Sequence, residues 1–216
     1  MRRAAAYDAW FDSTWGRYAF AVEARTLLHD MGDLTGRKLL DVGCGSGRFT
    51  ALFEAAGARA TGLDFDQSML ALAGQRVRGR LLKGDAHRLP FPDRTFDVTV
   101  AITLLEFVAD AALVVAEMIR VTRPGGRLAI GTLNPASPWG LAHRRRLREG
   151  PWSSARFMRR AQLPALGSRY GDVTLHAALY APGAFPGLEV VGPLLEVIGK
   201  AVSGWGAFQV LSVDLP

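Results

Sequence analysis

Residues 39–49, LLDVGCGSGRF, constrain the fold more than any other stretch of the chain. Two leucines lead into Asp41, three glycines follow at alternate positions, and a segment of helical spacing begins at Arg48. Because glycine has no Cβ, such a stretch lets the backbone turn sharply and approach a ligand closely. The start of the following helix adds unpaired N–H groups. The stretch therefore predicts a ligand-binding loop between a buried strand and a helix.

Up to residue 133, short apolar runs alternate with segments of helical period. Alternation at this rhythm, with continuously apolar strands, is typical of a parallel sheet covered by helices on both faces. The pattern predicts helices at 16–31, 48–56, 67–77 and 110–121, and strands at 38–42, 58–63, 80–83, 96–102 and 127–133.

Residues 135–187 break this pattern, because they contain several prolines and show no clean period. We expect them to form a lid or acceptor pocket inserted in a single domain that spans 1–216. The tail returns to apolar runs at 188–198 and 207–215, joined through SGWG at 203–206. A joint this short favours a C-terminal antiparallel hairpin over a helical crossover.

Composition narrows the classes of protein to which the chain can belong. Hydrophobic residues make up 49% and charged residues 21% of the 216 positions, as in a folded globular chain. No run of about 20 apolar residues could span a bilayer, and the start MRRAAAYDAWFD lacks the apolar centre of a signal peptide. We therefore expect a cytoplasmic location. The one cysteine, Cys44, excludes an internal disulfide, and we expect no metal site.

The charge distribution leaves a nucleic-acid partner open. The net charge is +6 at pH 7, and arginines are dense in HRRRLREG (143–150) and ARFMRR (155–160). A basic segment of this kind could bind RNA phosphates. The alternative, which we favour, is a solvated surface in an arginine-rich protein.

Two cofactor classes use a glycine loop after the first strand. Dinucleotide-binding folds need G-x-G-x-x-G, whereas this chain has Gly43, Gly45 and Gly47, and Arg48 stands where the dinucleotide pattern ends. Asp64, at the end of the second strand, does not separate the two classes, since both need a carboxylate for ribose hydroxyls. A glycine pattern alone is weak evidence, but the glycine spacing and the GDA segment (84–86) both disfavour a nicotinamide dehydrogenase.

Five segments, taken in order along the chain, decide between the two cofactor classes. They are LLDVGCGSGRF (39–49), GLDFDQSML (62–70), KGDAHRLPFPDRTFDVTVAI (83–102), LLEFVAD (104–110) and EMIRVTRPGGRLAIGTLN (117–134). Over about residues 7–134 the chain resembles the class I S-adenosylmethionine (SAM)-dependent methyltransferases of the small-molecule branch called type 11. The resemblance implies a Rossmann-like α/β fold with a doubly wound, mostly parallel, seven-stranded sheet. It also implies SAM as the cofactor and S-adenosylhomocysteine (SAH) as the product.

The resemblance also implies cofactor-binding roles by position. The loop glycines should lie against the methionine part of SAM, where Asp41 should reach its ammonium group. Asp64 should hold the ribose diol, Phe65 and Met69 should pack against adenine, and Asp85 should accept a hydrogen bond from the adenine amino group. The full set of expected cofactor-binding residues is Tyr7, Phe11, Asp41, Gly43, Cys44, Gly45, Gly47, Asp64, Phe65, Met69, Gly84, Asp85, Ala86, Ile102 and Thr103.

Catalytic candidates lie beyond the fourth strand. Glu106 follows that strand on the ligand side and could act as a base toward a hydroxyl, a thiol or a protonated amine. His143 is the second candidate, because it lies in the region expected to cover the acceptor; His176 and Tyr180 lie in the same region. An ordinary structural role stays open for each of these side chains.

The leading functional hypothesis is methyl transfer to a small molecule by in-line displacement. Methyltransferases of nucleobase or glutamine amides commonly carry an Asn/Asp-Pro-Pro-aromatic motif after the fourth strand. This chain has ITLLEF (102–107) there, which argues against that branch. Two alternatives remain: an RNA methyltransferase that uses the arginine-rich 143–160 segment, and a non-catalytic SAM-binding regulator. The sequence names neither the acceptor atom nor the oligomeric state.

Overall fold

A computed structural model describes residues 2–143, 153–201 and 204–216. The helices are α1 (Arg2–Trp10), α2 (Thr14–Met31), α3 (Arg48–Ala55), α4 (Gln67–Ala73), α5 (Ala111–Val121), α6 (Pro138–Ala142), α7 (Pro164–Gly167) and α8 (Leu188–Lys200), with a short 3-10 helix at Arg160–Gln162. The strands are β1 (Lys38–Val42), β2 (Arg59–Asp64), β3 (Arg80–Lys83), β4 (Phe96–Ile102), β5 (Thr122–Leu133), β6 (Asp172–Ala178) and β7 (Phe208–Asp214).

The strands form one seven-stranded sheet in the order β3-β2-β1-β4-β5-β7-β6. Strands β1 to β5 pair in parallel, and β7 pairs antiparallel with both β5 and β6. The predicted fold class is thereby confirmed. Strand order reverses between β1 and β4, so the connections after these two strands diverge and leave a crevice at their carboxyl ends.

The antiparallel partner of β7 differs from the one predicted. The 188–198 run, which we expected to be a strand, is part of α8, and β7 pairs instead with β6, whose residues lie in the 135–187 range. A continuous apolar run is typical of a buried strand, but here most of its apolar side chains lie on the exposed side of a helix, while Leu188 is buried in the core. Neither α8 nor any other helix in the described ranges is long and apolar enough to cross a bilayer.

The parallel strands send alternate side chains into two cores, one on each face of the sheet. Val98 and Val100 on β4 join Leu27 of α2 and Phe53 of α3 in the first core. On the opposite face, Ala101 of β4 joins a second core that α5 and α7 cover. Because both faces are buried, the sheet is fixed in register and holds the ends of β1, β2 and β4 in place.

Replacement of Phe53 tests the first core. Phe53 is fully buried, so Phe53→Ala should lower the free energy of unfolding by about 3–5 kcal/mol. Leu113→Ala on α5 is the control, because the Leu113 side chain is 45% exposed and its loss should change stability by about 0.5 kcal/mol. Urea unfolding followed by circular dichroism measures both variants, and equal losses would contradict the assignment of the core.

Candidate active site

The loop between β1 and α3 depends on three left-handed glycines. The φ angles are +74° at Gly43, +53° at Gly45 and +77° at Gly47, a region that side chains other than glycine rarely adopt. A Cβ on Gly43 would lie 2.7 Å from Leu104, and one on Gly47 would lie 2.7 Å from Val77. A Cβ on Gly45 would meet nothing within 4 Å. The alternate spacing is therefore a backbone requirement, and the loop is open at its centre.

The carboxylate of Asp64 ties this loop to the end of β2. Its Oδ2 accepts from the Gly45 N–H at 2.8 Å, and its Oδ1 accepts from the Asp66 N–H at 2.9 Å. Burial raises the pKa of Asp64 above its ordinary value, although the backbone hydrogen bonds work in the opposite direction. Asp66 itself caps α4 by accepting from the Ser68 N–H at 2.7 Å. The two aspartates thus fix the mouth of the crevice with their backbone contacts.

A cleft of about 510 Å³ opens where β2, β3 and β4 end. The Phe65 ring at its mouth is 77% exposed, and Asp85 accepts from the N–H and the Nδ1 of His87. Lys83 and Phe107 also line the cleft, which sequence reasoning did not anticipate. The expected cofactor-binding residues that line it are Gly43, Asp64, Phe65, Gly84, Asp85 and Ala86.

A second, much smaller chamber of about 30 Å³ lies on the other side of the glycine loop. Two expected residues lie away from both spaces: Met69 is half-buried on α4, and Gly47 is the residue that precedes α3. The expected residues that line the small chamber are Tyr7, Phe11, Asp41, Gly43, Cys44, Gly45, Ile102 and Thr103. The structure therefore brings most of the expected set together in two adjoining spaces.

Helix α1 closes the small chamber and is held there by an ion-pair network. Asp8 Oδ1 accepts from Ser46 Oγ at 2.6 Å and from Arg48 Nε at 2.8 Å, and Asp8 Oδ2 accepts from Arg76 Nη2 at 3.0 Å. Burial opposes ionisation, but the hydrogen bonds from Arg48, Ser46 and Arg76 lower the pKa of Asp8 to about 2. The Arg48 guanidinium also lies 5.0 Å from the centre of the Phe11 ring. Sequence reasoning missed this network, because its members are far apart along the chain.

Three carboxyl groups near the chamber are almost fully buried. Asp41 accepts from Thr50 Oγ1 at 2.6 Å, and burial raises its pKa to about 7. Glu106 accepts from the Leu133 N–H at 2.8 Å through Oε1, while its Oε2 has no partner. Burial raises the pKa of Glu106 to about 7, and burial together with Glu106 raises the pKa of Glu23 on α2 to about 8. Glu23 was not anticipated, because an acidic residue on an amphipathic helix is usually exposed.

The other acceptor-side candidates have structural partners in the fold. His143 caps the end of α6, donates from Nδ1 to the Trp139 carbonyl at 2.9 Å and stacks on the Trp139 ring. His176 on β6 pairs with Asp30 at 2.8 Å. Neither histidine lines the cleft or the small chamber. Half of the arginine-rich 143–160 segment, residues 144–152 with Trp152, lies outside the described residues.

Comparisons with known proteins agree with this geometry. Residues 40–130 match the family model described as a methyltransferase domain. A malonyl-[acyl-carrier protein] O-methyltransferase of Serratia marcescens is 38% identical over 103 residues, which cover 47% of this chain and 40% of the relative. A demethylmenaquinone methyltransferase of Geobacillus stearothermophilus is 40% identical over 111 residues, which cover 47% of each chain. This chain thus spans less than half the length of these two curated relatives.

A solved structure extends the likeness to the whole chain. It is a SAM-dependent methyltransferase of Thermotoga maritima, described as a possible histamine N-methyltransferase. The two chains align with a TM-score of 0.79 over 100% of this chain and 97% of the other, at 21% identity. At that identity the likeness shows the fold. Together with the family match, it confirms the resemblance recognised in the sequence.

The buried carboxyl of Glu23 predicts a pH-dependent stability. Its pKa rises from an ordinary 4.5 to about 8 in the fold, so the folded state holds the proton more tightly than the unfolded state. The free energy of unfolding should therefore fall as the pH rises through the range between these two values. Glu23→Gln removes the part of this dependence that Glu23 contributes, while Asp41 and Glu106 keep theirs. The variant should be more stable than the unmodified chain at alkaline pH, by about 1 kcal/mol or more. Urea unfolding over that range measures it.

Glu189→Gln, at an exposed carboxyl on α8, is the matched control and should follow the unmodified chain at every pH. Parallel stability curves for Glu23→Gln and the unmodified chain would contradict the assignment of a buried, protonated Glu23.

Loss of Asp8 should release α1. Asp8→Asn leaves Arg48 and Arg76 without their charged partner, so hydrogen exchange in the last turn of α1 should become about 10–100-fold faster. Asp12→Asn is the control, since the Asp12 side chain is 70% exposed and contacts only the Arg48 member of the network. Exchange measured by NMR or mass spectrometry reads both variants. Equal rates in the two would show that Asp8 does not hold the helix.

Proposed function

We propose that this chain, which belongs to the class I SAM-dependent methyltransferases, is an enzyme that transfers the methyl group of SAM to a small-molecule acceptor. When bound, SAM supplies a methyl group already activated on a sulfonium, so the protein has mainly to align the acceptor and keep the site dry. The observation that carries the proposal is the open, left-handed glycine loop between the cleft and the small chamber. The family match of residues 40–130 supports it.

The residues present fit the proposed cofactor. Gly45 presents no side chain toward the open space of the loop, which permits a close approach to its backbone. Asp64 keeps a carboxylate at the mouth of the cleft for a ribose diol, and the exposed Phe65 ring offers an apolar face for a base. Asp41 places a carboxyl in the small chamber, where an ammonium group is a better ligand than a phosphate. A dinucleotide phosphate would meet this acidic group unfavourably.

The chain's own residues exclude water from the chamber. Tyr7 of α1 and Phe11, which follows that helix, cover it together with Ile102. The Tyr7 and Thr103 side chains are hydrogen-bonded to each other. The chamber volume of about 30 Å³ leaves room for only about two water molecules. A methionyl group is larger than this, so we infer that α1 moves outward to admit it and then closes over it.

Glu106 is our proposed base for acceptors that lose a proton. Its pKa of about 7 lets it hold or release a proton near neutral pH. Its Oε2 has no hydrogen-bond partner, although Glu106 is buried and lines neither the cleft nor the small chamber, so an acceptor reaches it only if the site opens. Glu23 stands beside it and keeps the pair from ionising fully. We assign no catalytic role to His143, because its Nδ1 is engaged with the Trp139 carbonyl.

The small-molecule class rests on the relatives. The Serratia marcescens relative is named for O-methylation of malonyl-[acyl-carrier protein], and the Geobacillus stearothermophilus relative for methylation of demethylmenaquinone. The direct test incubates the chain with SAM labelled in its methyl group and panels of small hydroxyl, thiol and amine compounds. Total RNA forms a separate arm. Label on a small molecule is the expected result; label on RNA alone would overturn the acceptor class, and no label with intact SAH binding would favour a non-catalytic regulator.

Asp64→Asn should weaken SAH binding, because it removes the carboxylate and because the single amide oxygen of asparagine cannot accept from both the Gly45 N–H and the Asp66 N–H. Hydrogen bonds to a charged group are worth roughly 1.5–3 kcal/mol, so the dissociation constant should rise about 10–100-fold. Asp172→Asn, at an exposed aspartate on the edge strand β6, is the control and should bind like the unmodified chain. Calorimetric titration with SAH measures all three proteins. Unchanged affinity in Asp64→Asn would remove Asp64 from the cofactor site.

A further inference from the structure

Helix α8 exposes its apolar side to solvent. The exposed fractions are 81% at Val190, 57% at Leu194, 69% at Val197 and 56% at Ile198. These positions recur at helical spacing and form one continuous face. A helix on the surface of a globular protein ordinarily turns such a face toward the core. In α8 the apolar face is turned toward solvent instead.

The inward face of α8 cannot accept those apolar side chains. A Cβ on Gly192 would lie 2.5 Å from the Tyr18 ring, and one on Gly199 would collide with the Tyr180 ring. Between the two glycines, Glu196 accepts from the Tyr18 hydroxyl at 3.0 Å and from the Tyr180 N–H at 2.8 Å. Close packing on two tyrosines and a buried carboxylate therefore fixes the rotation of the helix. The outward apolar face follows from the packing.

Unpaired cations lie directly beside this face. A cavity of about 540 Å³ between α2, β6 and α8 is lined by Arg25, Arg160 and Lys200 together with Val197 of the apolar face. Arg160 Nη1 is buried without a hydrogen-bond partner. No ion pair of these three cations occurs among residues 2–143, 153–201 and 204–216.

The acidic groups in the same cavity have their oxygens engaged. Both oxygens of Glu196 accept hydrogen bonds, from the Tyr18 hydroxyl and from the backbone N–H groups of Leu179 and Tyr180. Asp30 is paired with His176 at 2.8 Å. With its histidines neutral, the lining has three cations against two carboxylates, so its net charge is +1. An apolar helix face with cations at its edge is complementary to an anionic amphiphile.

An exposed tryptophan follows α8 in the chain. Trp205 is 63% exposed, and a Cβ on its neighbour Gly204 would lie 3.4 Å from the Arg160 side chain. Tryptophan combines an apolar ring with one N–H donor and favours the boundary between water and lipid. The order of apolar helix, cation and tryptophan is that of a segment lying in a membrane interface.

We propose that α8 anchors the chain to the surface of an anionic lipid bilayer. Val190, Leu194, Val197 and Ile198 enter the boundary between headgroups and acyl chains, and the helix lies in the plane of the membrane. The exposed Arg25 and Lys200 bind anionic headgroups at its edge. The proposal is independent of the proposed function, since it uses no residue of the cleft or the small chamber.

Vesicle co-sedimentation of the full chain tests this proposal. The probes are vesicles of phosphatidylcholine alone and of phosphatidylcholine mixed with phosphatidylglycerol. The chain should bind the mixed vesicles, and binding should fall as salt rises because the headgroup contacts are electrostatic. The double variant Leu194→Gln and Val197→Gln should bind the mixed vesicles at least about tenfold more weakly than the unmodified chain. The double variant Arg25→Gln and Lys200→Gln should lose a similar share of its binding. Circular dichroism establishes that each variant is folded.

Leu113→Gln is the matched control, because it removes a partly exposed leucine from α5. It should bind like the unmodified chain. Failure of the unmodified chain to bind mixed vesicles would overturn the proposal, as would equal binding by all variants. Analytical ultracentrifugation tests whether a second copy of the chain binds to the apolar face of α8 instead. If the chain forms a dimer that the α8 double variant abolishes, and does not bind vesicles, the face is a dimer interface and the membrane anchor is overturned.

Discussion

The conformation of one loop governs the rest of the site. Between β1 and α3 the backbone adopts positive φ at Gly43, Gly45 and Gly47, which reverses the chain at the point where strand order changes direction. Asp64 then accepts from the Gly45 N–H, so the end of β2 is locked to the same loop. The cleft and the small chamber exist because the loop passes between them. A side chain at any of the three positions would strain the loop, and one at Gly43 or Gly45 would also stand beside a space that these residues line.

The second constraint is electrostatic. Asp41, Glu23 and Glu106 lie close to the chamber with little contact with water, and burial raises the pKa of each carboxyl. Keeping these groups in the interior costs folding free energy unless they are protonated or meet a cation. Their retention beside the open glycine loop is understandable if the site receives positively charged groups. Asp8 shows the opposite case, because its charge is satisfied by two arginines.

The parallel half of the fold could be predicted from sequence, since its strands are uniformly apolar and its turns carry glycine. The bounds of β1, β3 and β4 match their predicted ranges. The C-terminal part of the fold could not be predicted in the same way, because the 188–198 run is apolar enough for a buried strand. Its packing on Tyr18 and Tyr180, which the sequence does not show, makes it a surface helix. By contrast, the three loop glycines are close together in the sequence, so the ligand-binding loop could be predicted from the local pattern. The Asp8 network could not, because its partners lie 38 to 68 positions away.

The central claim is that the open glycine loop holds S-adenosylmethionine and not a dinucleotide. The most direct measurement is a calorimetric titration of the purified chain with SAH, with NAD titrated in parallel under the same conditions. Saturable SAH binding in the micromolar range, with no heat from NAD, is the result that this account predicts. Saturable NAD binding without SAH binding would contradict it, and would mean that Arg48 does not prevent the loop from accepting a dinucleotide.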